Sequence, residues 1–543
     1  MRRTIIPLFF VLLIAVVGNS QSLSVQEIIN NKINAGEETG SISADGIILY
    51  AQDVLSNYYE LNDYEPAWKN KKNLNEVISI LEDSYNEGLL PADYHMNNIN
   101  RLMNEIKTNP DPYKLADLDL LITDGLLIYG SHLILGKVDQ SKIRPGWNVP
   151  PNELPGNGDS LLYQALEHKN LTRLMNTLKP DNFMYTYLRR GLKHYRQIAE
   201  NGGWQKIPDG EVLKPGAKDK RVLTIRKYLK IVGDLPENTL SSNDTIYDSV
   251  VVEAVKKFQF RHNLNQDGII GKGSLRAMNV PVEQRIAEIR VNMERARWVI
   301  HHLPDDFLVV NIAGFNIRRL RHDSIVYYSR VIVGKHYHES PIFKGTLRYI
   351  ILNPTWTLTY SIATKETLPK LKKDPGYLEK KNMIIMDRSG RVLDPSTIDF
   401  NKLSAGNFPY TLQQKAGPHN SLGEVKFMFP NKYSVYLHDT PARSLFANEE
   451  RAFSHGCIRL QKKWELFLSL VDDPEWNMER INEVIASEKT TRVNLKDPIE
   501  IILLYWTAGA DRDDKLYFNK DIYDRDNAVL NALDRPIYFK KAL

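Results

Sequence analysis

Phe453-Ser454-His455-Gly456-Cys457-Ile458-Arg459-Leu460 contains the chain's single cysteine. Strand-like residues lead into it, and helical spacing begins at about 461, with Trp464, Phe467 and Val471 on one face. A thiol close to a helix start feels the positive end of the peptide dipoles, which favours thiolate. Gly456 allows a tight turn, so the amide N–H groups nearby can converge on a developing oxyanion. These are the parts of an acyl-transfer site built on a sulfur nucleophile. The base is found upstream, in Tyr433-Ser434-Val435-Tyr436-Leu437-His438. Strand alternation sends Val435 and Leu437 to one face and Ser434, Tyr436 and His438 to the other. A free thiol titrates near ~8.5 and one paired with histidine near ~3–4. Pairing with His438 is therefore expected to make thiolate the resting form.

Working outward, period-two alternation from about 307, in Leu308, Val310 and Ile312, predicts a β-rich domain over 307–508. Residues 362–424, rich in Lys, Pro and Gly, are expected to form a lid inserted into it. The charged helix expected early in 282–306, with Ile286, Ile289, Met293 and Ala296 at helical spacing, reads as a connector. Residues 215–281 form a compact three-helix unit, set off by Pro208, Gly210, Pro215 and Gly216. Residues 21–205 show helical periodicity broken by turns such as Arg144-Pro145-Gly146 and read as a helical scaffold; Leu120, Leu121, Leu126, Leu127 and Leu133 mark a buried helix within it. Residues 509–543 form a C-terminal extension.

Residues 1–20 read as an export signal: Arg2 and Arg3, an apolar run from Ile5 to Gly18, then small residues at Gly18-Asn19-Ser20. The run falls short of the roughly 20 residues of a spanning helix. No later stretch reads as long and uncharged enough to cross a bilayer, so any membrane contact is expected only through the N-terminal segment if it stays uncleaved. The chain of 543 residues carries a net charge of +5, too small and dispersed to indicate nucleic acid. One cysteine excludes an intramolecular disulfide and any multi-cysteine metal site. A free thiol outside the cytoplasm is exposed to oxidation, which makes a reactive role worth weighing against a buried apolar one.

The order His438, then Ser454-His455-Gly456-Cys457-x-Arg459, resembles the signature of the L,D-transpeptidase (YkuD-type) catalytic domain. Asn353-Pro354-Thr355-Trp356, Asp374-Pro375-Gly376-Tyr377-Leu378, Gly417-Pro418-His419 and Lys426-Phe427-Met428-Phe429 also resemble that family. Ala416 departs from it where a Pro is expected before Gly417. Ala254-Val255-x-x-Phe258-Gln259, Asn263-Leu264, Asp267-Gly268, Gly271 and Leu275-x-x-Met278-Asn279 resemble a peptidoglycan-binding domain. Pro91-Ala92-Asp93-Tyr94-His95 and Gly136-Lys137-Val138-Asp139 resemble the scaffold of the larger, YcbB-like members.

The resemblance implies a multidomain α+β protein of the cell envelope or periplasm whose partners are peptidoglycan stem peptides and glycan, with no cofactor. Cys457 would attack the third stem residue's carbonyl, release D-Ala, and pass the thioester to a neighbouring stem as a 3→3 cross-link. His438 would serve as base, oriented by a main-chain carbonyl, the N–H groups of Gly456 and Cys457 would hold the oxyanion, and carbapenems would acylate Cys457. L,D-carboxypeptidase action, D-amino-acid exchange and a non-catalytic wall-binding scaffold are the alternatives. A papain-like peptidase fits less well, because it would place its Cys before its His.

Arg459 either pairs with a stem carboxylate or pins the loop through backbone oxygens. His455 supports the loop or exchanges roles with His438, while Ser454 is a loop hydroxyl. Tyr436 and Trp356 either line the substrate groove or belong to the core. No metal site is expected: His301-His302 and His336-x-His338 lack an evident third ligand. Asp511-Arg512-Asp513-Asp514 reads as a solvated turn.

Overall fold

The computed structural model describes residues 23–143, 147–167, 170–239, 245–299, 301, 303–322, 324–510 and 515–537. The expected export signal, the Arg144-Pro145-Gly146 turn, His302 and the Asp511–Asp514 turn lie outside the described residues.

Ten strands form the sheet that carries His438 and Cys457. They are β1 Trp147–Asn148, β2 Asp306–Asn311, β3 Asn316–Arg321, β4 Ser324–Gly334, β5 Ile342–Leu352, β6 Val425–Met428, β7 Leu437–His438, β8 Ala452–Ser454, β9 Ile458–Leu460 and β10 Thr491–Leu504. Their order is β6-β7-β9-β4-β3-β2-β10-β5-β1, with β8 on β4. Because β6 also pairs with β5, the path closes on itself and leaves few free edges. The alternation expected in β2 does not give a half-exposed strand: Phe307 through Asn311 are all buried, so both faces are covered.

The scaffold supplies one strand of this sheet. Trp147 and Asn148 of β1 pair in parallel with Ile342 and Phe343 of β5. One apolar core runs from Ile28 of the scaffold through the sheet to Leu533.

The helix Val282–Val299, expected to be a connector, lies in that core. Trp298 is 1% exposed, Arg295 1% and Arg297 0%. Its charges are spent internally. Arg297 pairs with Glu294 at 2.6 Å, Arg295 with Asp526 at 2.7 Å, and Glu294 accepts from Val138 N at 2.7 Å. Composition cannot separate such a helix from a solvated one, because buried charges that find partners are tolerated.

The helix Pro112–Leu135 corrects another expectation. It is long and apolar enough by length and composition to cross a membrane, the one such helix among the described residues, yet most of it is buried in the fold. Asp119 accepts from Ala67 N and Trp68 N, both at 3.0 Å, and Asp124 from Tyr50 N and Ala51 N at 3.0 and 2.7 Å. Two buried carboxylates that hold loops in place belong to the interior of a folded domain.

Residues 213–279 contain a second, separate core with helices Arg221–Ile231, Ser249–Arg261 and Lys272–Met278. Gln259 explains its motif: its amide donates to Ile269 O at 3.0 Å and accepts from Gly268 N at 2.9 Å, pinning the Asp267-Gly268 turn. Asn263, where the pattern has glycine, sits at φ 52°, a left-handed conformation that asparagine tolerates. The unit is tethered to the C-terminal region by Arg261 Nη1, which donates to Leu516 O at 2.6 Å.

The lid is a small folded unit with a third core that includes Leu358, Leu371, Ile385 and Leu412. Its four strands, Trp356–Thr357, Met383–Met386, Val392–Leu393 and Thr411–Gln414, make their own sheet. Its sheet therefore begins at Trp356, before the expected start at 362, and ends at Gln414 rather than near 424.

Candidate active site

Strand register assembles the site. Leu437 and His438 of β7 lie in parallel register with Ile458 and Arg459 of β9, and Lys426 of β6 stands opposite His438. Ile458 N donates to Tyr436 O at 3.1 Å, which extends the ladder one residue back toward Cys457. Because alternate residues share a face, Lys426, Tyr436, His438, Cys457 and Arg459 fall on one side. Phe427, Leu437 and Ile458 fall on the other, each 0% exposed. Ser434 breaks the alternation expected for it: at φ 55° it forms a turn, and its carbonyl accepts from Cys457 Sγ at 3.8 Å. Among the described residues Sγ makes no hydrogen bond to the His438 ring.

His438 is buried, and its Nδ1 lies 2.5 Å from the Asp439 carbonyl oxygen. A carbonyl only accepts, so Nδ1 carries the hydrogen and Nε2 keeps its lone pair. The Asp439 carboxylate is engaged elsewhere, accepting from Glu424 N at 3.0 Å and pairing with Lys463. Burial, followed by the Arg459 charge, lowers the His438 pKa to about 3 despite the Asp439 carbonyl.

Burial also pushes the Cys457 thiol above its ordinary value, opposed by the Tyr436 N–H, the Lys426 charge and the Tyr436 side chain. The surroundings therefore favour neutral thiol beside neutral imidazole, not the expected resting ion pair. Two features account for the difference. The following helix starts only at Lys463, beyond β9, and a helix dipole fades within its first turn. The imidazole is too deeply buried to hold a proton at neutral pH.

The loop before Cys457 is closed by Ser454. Its hydroxyl donates to Cys457 O at 2.6 Å and accepts from Gly456 N at 3.1 Å. The Gly456 N–H, expected to face an oxyanion, is thus occupied, leaving the Cys457 N–H of the pair. Gly456 has φ 109°, a conformation open to glycine and strained for other residues. Arg459 makes no hydrogen bond to backbone oxygens among the described residues, and its buried Nε has no partner. The loop-pinning reading of this residue is therefore not what the structure contains.

The lid reaches the site at two points. Burial raises the Tyr436 phenol pKa, reinforced by the Cys457 sulfur and opposed by the Trp356 side chain. Glu366 Oε1 lies 2.6 Å from His455 Nε2, which turns His455 toward the lid. His338 stands beside His455 with ring centroids 5.1 Å apart. His338 thus gains two candidate co-ligands, Glu366 and His455, that sequence spacing did not supply; they come from the lid and the catalytic loop. Its neighbour His336 instead faces Asp524 at 3.3 Å, and His301 faces Leu133 O at 3.1 Å.

Lys426 was missed by sequence reasoning. Its ammonium lies 3.9 Å from the Tyr436 ring centroid, and it acts electrostatically on Cys457. The available signal was its place in alternation with Val425 and Phe427, two core residues.

Comparisons with known proteins follow this division of the chain. Residues 305–499 match the model described as "L,D-transpeptidase catalytic domain" (YkuD), residues 218–278 that of a "Putative peptidoglycan binding domain", and residues 53–192 a "Scaffold domain". A Haemophilus influenzae protein described as "Putative L,D-transpeptidase" is 34% identical over 244 residues, 45% of this chain and 48% of that protein. The chain therefore spans about half the length of the curated relative it matches. Crystal structures of L,D-transpeptidases from Xylanimonas cellulosilytica and Stackebrandtia nassauensis are each 11% identical and each cover 55% of this chain. They are covered over 99% and 97% of their own lengths, with TM-scores of 0.18 and 0.22. Residues 305–499 thus match the YkuD-type L,D-transpeptidase catalytic domain, and they lie in one chain with residues that match a peptidoglycan-binding domain and a scaffold domain.

Proposed function

We propose that the protein is an exported peptidoglycan L,D-transpeptidase that forms 3→3 cross-links through a thioester on Cys457 and releases D-Ala. The observation that carries this reading is the shared strand face: Cys457 and an imidazole whose Nδ1 is held by the Asp439 carbonyl, flanked by Lys426 and Arg459.

In this mechanism the Cys457 proton moves to His438 Nε2 as sulfur attacks the carbonyl of the third stem residue. The Cys457 N–H stabilises the developing oxyanion, a contribution typically of about 3 kcal/mol per donor. The tetrahedral intermediate collapses, the C–N bond breaks, and the imidazolium returns its proton to the leaving D-Ala amine. A side-chain amine of a second stem then attacks the thioester, His438 takes its proton, and the thiol is restored. Starting from neutral partners, the ion pair forms only as substrate displaces water. Arg459, without a protein partner at its Nε, receives a stem carboxylate, and Tyr436 and Trp356 line the groove beneath the lid.

Incubating the full chain with tetrapeptide muropeptides and identifying products by mass spectrometry tests this reading. Cross-linked dimers with D-Ala release are expected from wild type and not from Cys457→Ala, which should retain sacculus binding. Reduced wild-type protein yielding neither product would overturn the proposal.

A further inference from the structure

His338, Glu366 and His455 come from three separate segments, yet each offers a ligand atom within 4.8 Å of the other two. His338 lies in the turn after β4, which is tied to the catalytic loop because Ser340 Oγ donates to Gly456 O at 2.8 Å. Glu366 lies in a π-helical turn of the lid, Ala363–Thr367, an irregularity often found at functional positions. His455 adjoins Gly456 in the catalytic loop. Two imidazoles and one carboxylate, partly open to solvent, make a three-ligand set that leaves a fourth position for water.

We propose that these three residues form a binding site for a divalent transition cation of the zinc class, and that the bound cation fastens the lid to the catalytic loop. Zinc holds N and O ligands at about 2.0–2.2 Å, so tetrahedral ligand atoms sit near ~3.3 Å apart. The three ligand atoms lie within 4.8 Å of one another, so the widest pair has to approach by about 1.5 Å at most. Two imidazoles select against magnesium and calcium, which prefer all-oxygen shells. In the bound state, coordination replaces the 2.6 Å contact between His455 and Glu366 and draws in His338. The lid is then held at a point two residues from the thiol, and substrate entry slows.

The test uses the full chain with Cys457→Ser, so that the sulfur cannot take the metal and no turnover is involved. Zinc chloride is titrated by calorimetry, and bound metal is counted after equilibrium dialysis. We expect one zinc per chain, a rise in the thermal midpoint with zinc, and slower amide exchange across Ala363–Thr367. His338→Ala and Glu366→Gln, with metal-free melting curves matching their parent, are each expected to weaken binding at least tenfold. Absence of zinc binding in the Cys457→Ser chain would overturn the proposal. So would affinity unchanged in both variants, or exchange across the lid turn unaffected by zinc.

Discussion

Ser454 spans the turn to Cys457 with one hydroxyl, donating to the Cys457 carbonyl at 2.6 Å while accepting from the amide between them. The backbone conformation that presents the sulfur is thus held by a side chain that need not touch substrate. Ser454→Ala is expected to lower kcat about tenfold, the loss of roughly one net hydrogen bond at the nucleophile. KM should change little, and Ser454→Thr should restore most of the rate. Steady-state kinetics on a tetrapeptide donor checks this, and a wild-type rate in Ser454→Ala would contradict it.

The neutral resting pair has a consequence in alkylation. Burial holds the thiol above its ordinary pKa, and the imidazole titrates only near about 3. The iodoacetamide rate at Cys457 should therefore climb with pH through 8, approaching ~10-fold per unit as thiolate appears. A thiolate–imidazolium pair would give a plateau between pH 5 and 8. A plateau would show that the protein environment stabilises the charges despite their burial.

Acid should destabilise the fold through several buried imidazoles. Burial lowers His132 and His438 to about 3 and holds His262 well below its usual value. As pH falls below about 6.5 the unfolded chain takes up these protons and the folded chain does not, so stability drops. Between pH 6.5 and about 3 the slope approaches about 1.4 kcal/mol per pH unit for each group, so the stability contribution is fully present above pH 6.5 and lost progressively toward pH 3. Urea unfolding at pH 7 and pH 5 measures it. His262→Asn should flatten the slope by about one proton's worth, and an unchanged slope would refute the assignment for that residue.

Arg459 has a buried Nε without a partner, on the same face as the thiol. If it receives a stem carboxylate, Arg459→Gln should raise the KM for a tetrapeptide donor by about 10- to 100-fold, as expected for a charge-assisted hydrogen bond. The kcat should fall less. A larger effect on kcat than on KM would make it a positioning residue for Cys457.

Much of this was legible in the sequence because the signals were local. Alternation around Val435 and Leu437 put His438 on the cleft side, and the Phe258-Gln259 and Asp267-Gly268 pattern marked a compact helical unit. What could not be read were relationships across distance. The helix containing Arg295 and Arg297 looks solvated until Asp526 and Glu294 are placed beside it. The partners of His338 arrive from the lid and from the loop before Cys457. The strength of desolvation at His438, which lowers its pKa, depends on every segment packed around it, and no motif carries that.

The strand Trp147–Asn148 joins the sheet from more than 300 positions before Cys457, through its pairing with Ile342 and Phe343. Severing the polypeptide upstream of residue 300 would take away that ribbon along with the buried arginine helix, uncovering β5 and the apolar surface behind it. Evolutionary insertion and laboratory trimming are therefore confined to different places: loops and the lid can vary, while the seam between the helical half and the catalytic half must be inherited whole.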